Sequence, residues 1–89
     1  MQSSTITIIN KLGLHARASA KFAALANNFE SEIKINKDNK SIDGKSIMQL
    51  MMLAANVGSQ ITLNIEGSDE AAAMDALCSL INKRFDEAE

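Results

Sequence analysis

Gln60-Ile61-Thr62-Leu63-Asn64-Ile65 alternates polar and apolar residues at every step. A strand of this period turns Ile61, Leu63 and Ile65 to one face and leaves the other face to water. Glu32-Ile33-Lys34-Ile35-Asn36 repeats the pattern, and Lys40-Ser41-Ile42-Asp43 does so over a shorter span. Asp38-Asn39 between these two suits a tight hairpin turn. Thr5-Ile6-Thr7-Ile8-Ile9 is rich in β-branched residues and reads as a further strand with Ile6 and Ile8 inward. Half-wet strands of this kind belong to an antiparallel sheet with one covered face.

The cover must come from helices. From Ala16 to about Asn28 the residues Ala18, Phe22, Leu25, Ala26 and Phe29 recur at helical spacing. Ser46 followed by Gln49 is a capping-box pattern, which starts a short second helix that Asn56-Val57-Gly58 ends. Gly67-Ser68 opens a last helix with Met74, Leu77, Cys78, Ile81 and Phe85 on one face. Asp69 and Glu70 in its first turn, with Lys83 and Arg84 in its last, would match the helix dipole. The expected fold is α+β: a four-stranded antiparallel sheet covered on one face by three helices, in the order β-α-β-β-α-β-α. No linker or repeat interrupts residues 1–89, which are expected to form a single domain.

Composition narrows the class. The 89 residues are 46% hydrophobic but only 3% aromatic, so the core must be aliphatic. A net charge of −2 without a basic run argues against nucleic acid and anionic membranes as partners. No apolar stretch has the length of a membrane span, and the polar start is unlike a signal peptide. The single cysteine cannot form an internal disulfide, which fits a reducing cytoplasm. Cys78 falls on the apolar helix face and reads as inert core, and it lacks metal-ligand spacing to His15. Neither a metal nor another cofactor is therefore expected. Gly44-Lys45-Ser46 resembles the end of a phosphate-binding loop, but the first glycine of that motif would fall at Asn39. The acidic tail Asp86-Glu87-Ala88-Glu89 is expected to be frayed and solvated.

The one histidine, His15, stands directly before the first helical pattern. A lone histidine in a loop is most simply a solvated or capping side chain. Its position points further. A helix start offers unpaired N–H groups and a partial positive charge, which together bind phosphate. A neutral imidazole has a lone pair for attack, and a phosphoryl group on it would face the N–H groups of Ala16, Arg17 and Ala18. Arg17 can add a charge-assisted contact, although a solvated helix-face charge would account for it as well.

The run Asn10-Lys11-Leu12-Gly13-Leu14-His15-Ala16-Arg17 resembles the active-centre motif of the HPr family, the histidine-containing phosphocarriers of the bacterial phosphoenolpyruvate-dependent phosphotransferase system. Gly44-Lys45-Ser46-Ile47-Met48 resembles that family's regulatory-serine motif, at the expected separation. The resemblance covers essentially the whole chain. It implies an open-faced sandwich, a phosphoryl group carried on Nδ1 of His15, and Arg17 as its electrostatic partner. It also implies enzyme I as donor, enzyme II-type proteins as acceptors, and a monomeric carrier regenerated stoichiometrically rather than a true catalyst. One residue departs from the motif: Ala18 stands where the family usually has proline. Alanine keeps helix propensity and restores an N–H, so the site should survive.

Ser46 is fully accounted for as an N-cap. Its resemblance to the seryl-phosphorylation motif adds a regulatory reading, with an HPr kinase/phosphorylase as partner. Ile47, Met48, Met51 and Met52 are more apolar bulk than one buried stripe of a two-turn helix needs. Leu50 and Leu53, with Ile47 or Met51, would face the sheet, leaving Met48 and Met52 partly exposed as a soft docking surface or else as surplus core. Two alternatives stand beside the sugar-system carrier. One is a carrier of the nitrogen-related branch with a regulatory output, and the other is a ferredoxin-like sensing or interaction domain, which would leave His15 and Arg17 unexplained.

Overall fold

The computed structural model describes residues 1–88. Strands β1 (Gln2–Thr7), β2 (Glu32–Lys37), β3 (Lys40–Asp43) and β4 (Gln60–Glu66) form one antiparallel sheet in the order β1-β4-β2-β3. Helices α1 (Ala16–Ala26), α2 (Ile47–Met52) and α3 (Glu70–Asn82) pack against its apolar face. The alternation in sequence sets the register. Ile33 pairs with Ile65 and Ile35 with Leu63, so all four side chains enter the core together. On the open face Thr5 and Thr62 lie opposite each other, their hydroxyl oxygens 3.1 Å apart. Phe22 of α1, Leu50 of α2 and Leu77 and Ile81 of α3 close the core from the helical side, each essentially without exposure.

The turns follow the expected chemistry. Asp38 and Asn39 both take left-handed backbone angles (φ 50° and 68°), as a two-residue hairpin turn demands. Gly67 sits at φ 154°, and a Cβ there would lie 2.6 Å from the Cα of Ser31. That close approach lets the Asp69 carboxylate take the N–H groups of Glu30 and Ser31 (2.9 and 3.0 Å) and the Ser31 hydroxyl. The start of α3 is thereby fastened to the loop before β2.

Boundaries differ from the sequence expectation where tertiary partners decide. Polar Gln2–Ser4 is strand because β4 supplies a full row of partners, from Gln2–Ile65 to Thr7–Gln60. Ile8 is buried just beyond β1, and Ile9 is exposed. Helix α1 stops at Ala26, where the Asn27 amide donates to the carbonyls of Ala23 (2.7 Å) and Lys45 (3.1 Å). Helix α2 ends at Met52 rather than near Asn56, with Ala54 left-handed at φ 54°. Only half of its capping box forms: Ser46 Oγ accepts the Gln49 N–H at 3.2 Å, while the Gln49 side chain turns to the Asp43 N–H at 2.8 Å.

The end of α3 is the largest departure. Phe85 is four residues past Ile81 and reads as the same helical face, yet α3 stops at Asn82. Arg84, Phe85 and Asp86 are all left-handed (φ 57°, 54° and 62°), and Phe85 enters the core from this turn. Lys83 and Arg84 thus lie beyond the helix rather than in its last turn.

Candidate functional site

Four parts position His15. Asn10 is wholly buried, and its amide donates to the Gly13 carbonyl at 2.8 Å, closing the loop before α1. Gly13 has φ 65°, and a Cβ on it would run into the Ala55 carbonyl oxygen and stand 2.9 Å from the Cα of Asn56. Leu14 donates its N–H to Ala55 at 2.9 Å and is buried, so the loop is pinned on both sides of the turn. His15 follows as the extended residue that starts α1, and its carbonyl accepts the Ser19 N–H at 2.8 Å. The Ser19 hydroxyl, buried in α1, donates to the Leu14 carbonyl at 3.1 Å.

The imidazole does not cap its own helix. Nε2 instead meets a carboxylate oxygen of Glu87 in a hydrogen bond, with the ring 28% exposed and the carboxylate 11%. The other oxygen of Glu87 accepts from the Asn10 amide at 3.0 Å. Partial burial raises the Glu87 carboxyl, but hydrogen bonds from Asn10 and His15 and the nearby charges of His15 and Arg17 outweigh it. The carboxyl is held below its ordinary value. The left-handed turn over Arg84–Asp86 is what returns the chain to this place, and Lys21 Nζ ties it to α1 through the Phe85 carbonyl at 2.8 Å.

The expectation of a frayed, solvated tail is therefore wrong for Glu87; Glu89 lies outside the described residues. An acidic tail carries no periodicity, so nothing in its sequence marked Glu87. Asn10 lies inside the recognised motif, but its type alone did not distinguish a turn residue from a buried bridge.

Ala16 and Arg17 are exposed in the first turn of α1, whereas the methyl of Ala18 is in the core. Arg17 forms no hydrogen bond or ion pair among the described residues. It lines a groove beside the histidine together with Lys11, Leu12, Lys21, Asp86 and Glu87. Ser46 caps α2, which packs beside α1. Only Leu50 of α2 is buried, and Leu53 follows it into the core. Ile47, Met48, Met51 and Met52 are all exposed and line one apolar groove, so neither Ile47 nor Met51 joins Leu50 and Leu53 in the buried stripe. Cys78 is partly buried with its thiol 3.6 Å from the Met74 sulfur, and burial pushes that thiol up. Among the described residues no helix is long and apolar enough to cross a membrane.

The family model described as "PTS HPr component phosphorylation site" matches residues 2–83. The chain belongs to the HPr family. It is 59% identical to the phosphocarrier protein HPr of Cupriavidus necator over 83 residues, 93% of each chain. It is also 48% identical to the phosphocarrier protein NPr of Shewanella violacea over 93% of this chain and 91% of that one. The crystal structure of HPr-C-His from Thermoanaerobacter tengcongensis superposes with a TM-score of 0.96 at 45% identity, covering 100% of both chains. Like its HPr relatives, this chain is a phosphoryl carrier of the phosphotransferase system, and the proteins of that system are its partners.

Proposed function

We propose that His15 accepts the phosphoryl group on Nδ1 from phospho-enzyme I and delivers it to enzyme II-type acceptors. One observation supports this reading above the others. The only histidine of the chain stands at the start of α1, partly exposed to solvent, with its ring withheld from the helix-start N–H groups. Those groups, on Ala16, Arg17 and Ala18, then serve the phosphoryl oxygens, where the helix dipole favours negative charge. The Arg17 guanidinium neutralises what charge remains. Positioning and charge neutralisation supply most of what such transfers need.

Ser46 is the regulatory position in this reading, a substrate for an HPr kinase/phosphorylase where the host has one. A phosphate there would add about two negative charges beside the apolar groove of Ile47, Met48, Met51 and Met52. That groove is the surface through which the monomeric, cytoplasmic carrier docks onto enzyme I and its acceptors. The similarity to an NPr supports a second reading, a carrier of the nitrogen-related branch. The downstream enzyme that accepts phosphate distinguishes the two. Incubation with phosphoenolpyruvate and enzyme I, followed by intact mass, should add one phosphoryl group to the wild type and none to His15→Ala. Phosphate still gained by His15→Ala would overturn the assignment.

A further inference from the structure

We propose that Glu87 is a positioning residue for phosphoryl transfer, fixing the His15 tautomer and balancing the charge that develops on its ring. The proposal rests on His15 being the acceptor. The geometry asks for it in three ways. Glu87 reaches Nε2 and not Nδ1. Its carboxylate is itself oriented, because the buried Asn10 amide bridges the second oxygen at 3.0 Å and the Gly13 carbonyl at 2.8 Å. The chain also tolerates three consecutive left-handed residues, none of them glycine, to bring Glu87 there. Left-handed backbone is unfavourable for residues with a Cβ, and the burial of Phe85 and the Lys21 contact hold the turn against that cost.

An ionised carboxylate accepts only, so the nitrogen facing it must carry the proton. Glu87 therefore holds the ring as the Nε2–H tautomer and leaves the lone pair on Nδ1. In the transfer, that pair forms the N–P bond as the bond between phosphorus and the donor's imidazole nitrogen breaks. The donor ring, protonated on its far nitrogen, keeps the electron pair and leaves as neutral imidazole. His15 retains its Nε2 proton and so becomes an imidazolium bearing phosphate on Nδ1. Its new positive charge faces the Glu87 carboxylate, the same logic by which a buried carboxylate supports a catalytic histidine elsewhere. Lys11, Arg17 and Lys21 line the same groove as Glu87, a cluster of positive charge near the ring that would receive the phosphoryl dianion.

Two measurements on full-length protein test this. Long-range proton–nitrogen correlation of the unphosphorylated His15 ring, under alkaline conditions where imidazole is neutral, should show Nε2–H in the wild type. It should show a mixture of tautomers in Glu87→Ala. Glu87→Gln keeps an acceptor for Nε2–H without the charge, so the tautomer should hold while transfer from phospho-enzyme I slows. Loss of one hydrogen bond between charged groups predicts about a tenfold to hundredfold slowing in both variants. Wild-type tautomer and rate in Glu87→Ala would overturn the inference, even with His15 confirmed as acceptor by His15→Ala. Phosphate uptake by His15→Ala would overturn the transfer role while leaving the tautomer result to stand on its own.

Discussion

Lys21 donates its ammonium to the carbonyl of Phe85 at 2.8 Å, so the middle of α1 holds the turn that follows α3. Phe85 is fully buried beneath that contact. The same turn brings Glu87 to His15, and one side-chain anchor therefore serves both the core and the site. Phe85→Ala should cost about 3–5 kcal/mol, the usual penalty for emptying a buried aromatic site. Arg84→Gly should be neutral or stabilising, because glycine adopts φ 57° without the Cβ penalty. Urea unfolding of both variants checks the pair. A clear destabilisation by Arg84→Gly would show that the turn is not strained.

Arg17 is exposed and forms no hydrogen bond or ion pair among the described residues, so removing its side chain should not unsettle the fold. Arg17→Ala should keep the wild-type unfolding midpoint while slowing transfer by roughly a hundredfold or more. That is the scale of one preorganised charge contact in a transition state. Stopped-flow or quench kinetics with phospho-enzyme I decide it, and near-normal rates would remove Arg17 from the chemistry.

Met48 is 74% exposed and Met52 67%. On the proposed docking surface, a charge at either position would meet water in the free protein and an apolar partner in the docked one. Met48→Asp should therefore impair transfer from enzyme I, and Met52→Asp should do so less, with thermal stability nearly unchanged. Loss of stability with intact transfer per folded molecule would return these side chains to a packing role.

Most of this fold was legible because the strands obey a period that only one arrangement satisfies. Ile33, Ile35, Leu63 and Ile65 enter the core as their alternation requires. The Asp38-Asn39 turn and the Ser46 cap are equally local, so residue type sufficed. What escaped was set by contacts distant in sequence. Phe85 keeps helical spacing from Ile81, and only packing in three dimensions shows that the chain reaches the core through a left-handed turn instead. At the site, His15 and Arg17 could be read from the motif and the helix start. Glu87 could not, because its partner lies 72 residues away.

Asp69 gives the fold an acid-sensitive contact. The Ser31 hydroxyl and the N–H groups of Glu30 and Ser31 hold its carboxyl below the usual aspartate range. The unfolded chain then takes up this proton at higher pH than the folded one. The stabilisation is complete above the ordinary carboxylate range and drains as pH falls through the folded value. Asp69→Asn should be less stable than wild type near pH 7, and the gap should narrow at about pH 3. Urea midpoints at the two conditions test this, and an unchanged gap would exclude the carboxylate as the source.

Ser46 joins a structural task to a charge-sensitive position. Its hydroxyl accepts the Gln49 N–H at 3.2 Å, so Ser46→Ala should cost about 1 kcal/mol. Ser46→Asp should retain most of the stability, since aspartate also caps and its charge suits a helix start. The same charge is placed beside exposed Ile47 and Met48, at the edge of the apolar groove. Against an acidic surface on phospho-enzyme I, Ser46→Asp should dock more weakly while Ser46→Ala docks normally. Rim charges act over a Debye length, about 10 Å at 0.1 M salt, so the Asp defect should shrink as ionic strength rises. Stability and transfer rate for both variants at low and high salt separate the two tasks. An Asp variant as fast as wild type at low salt would leave Ser46 a helix cap and nothing more.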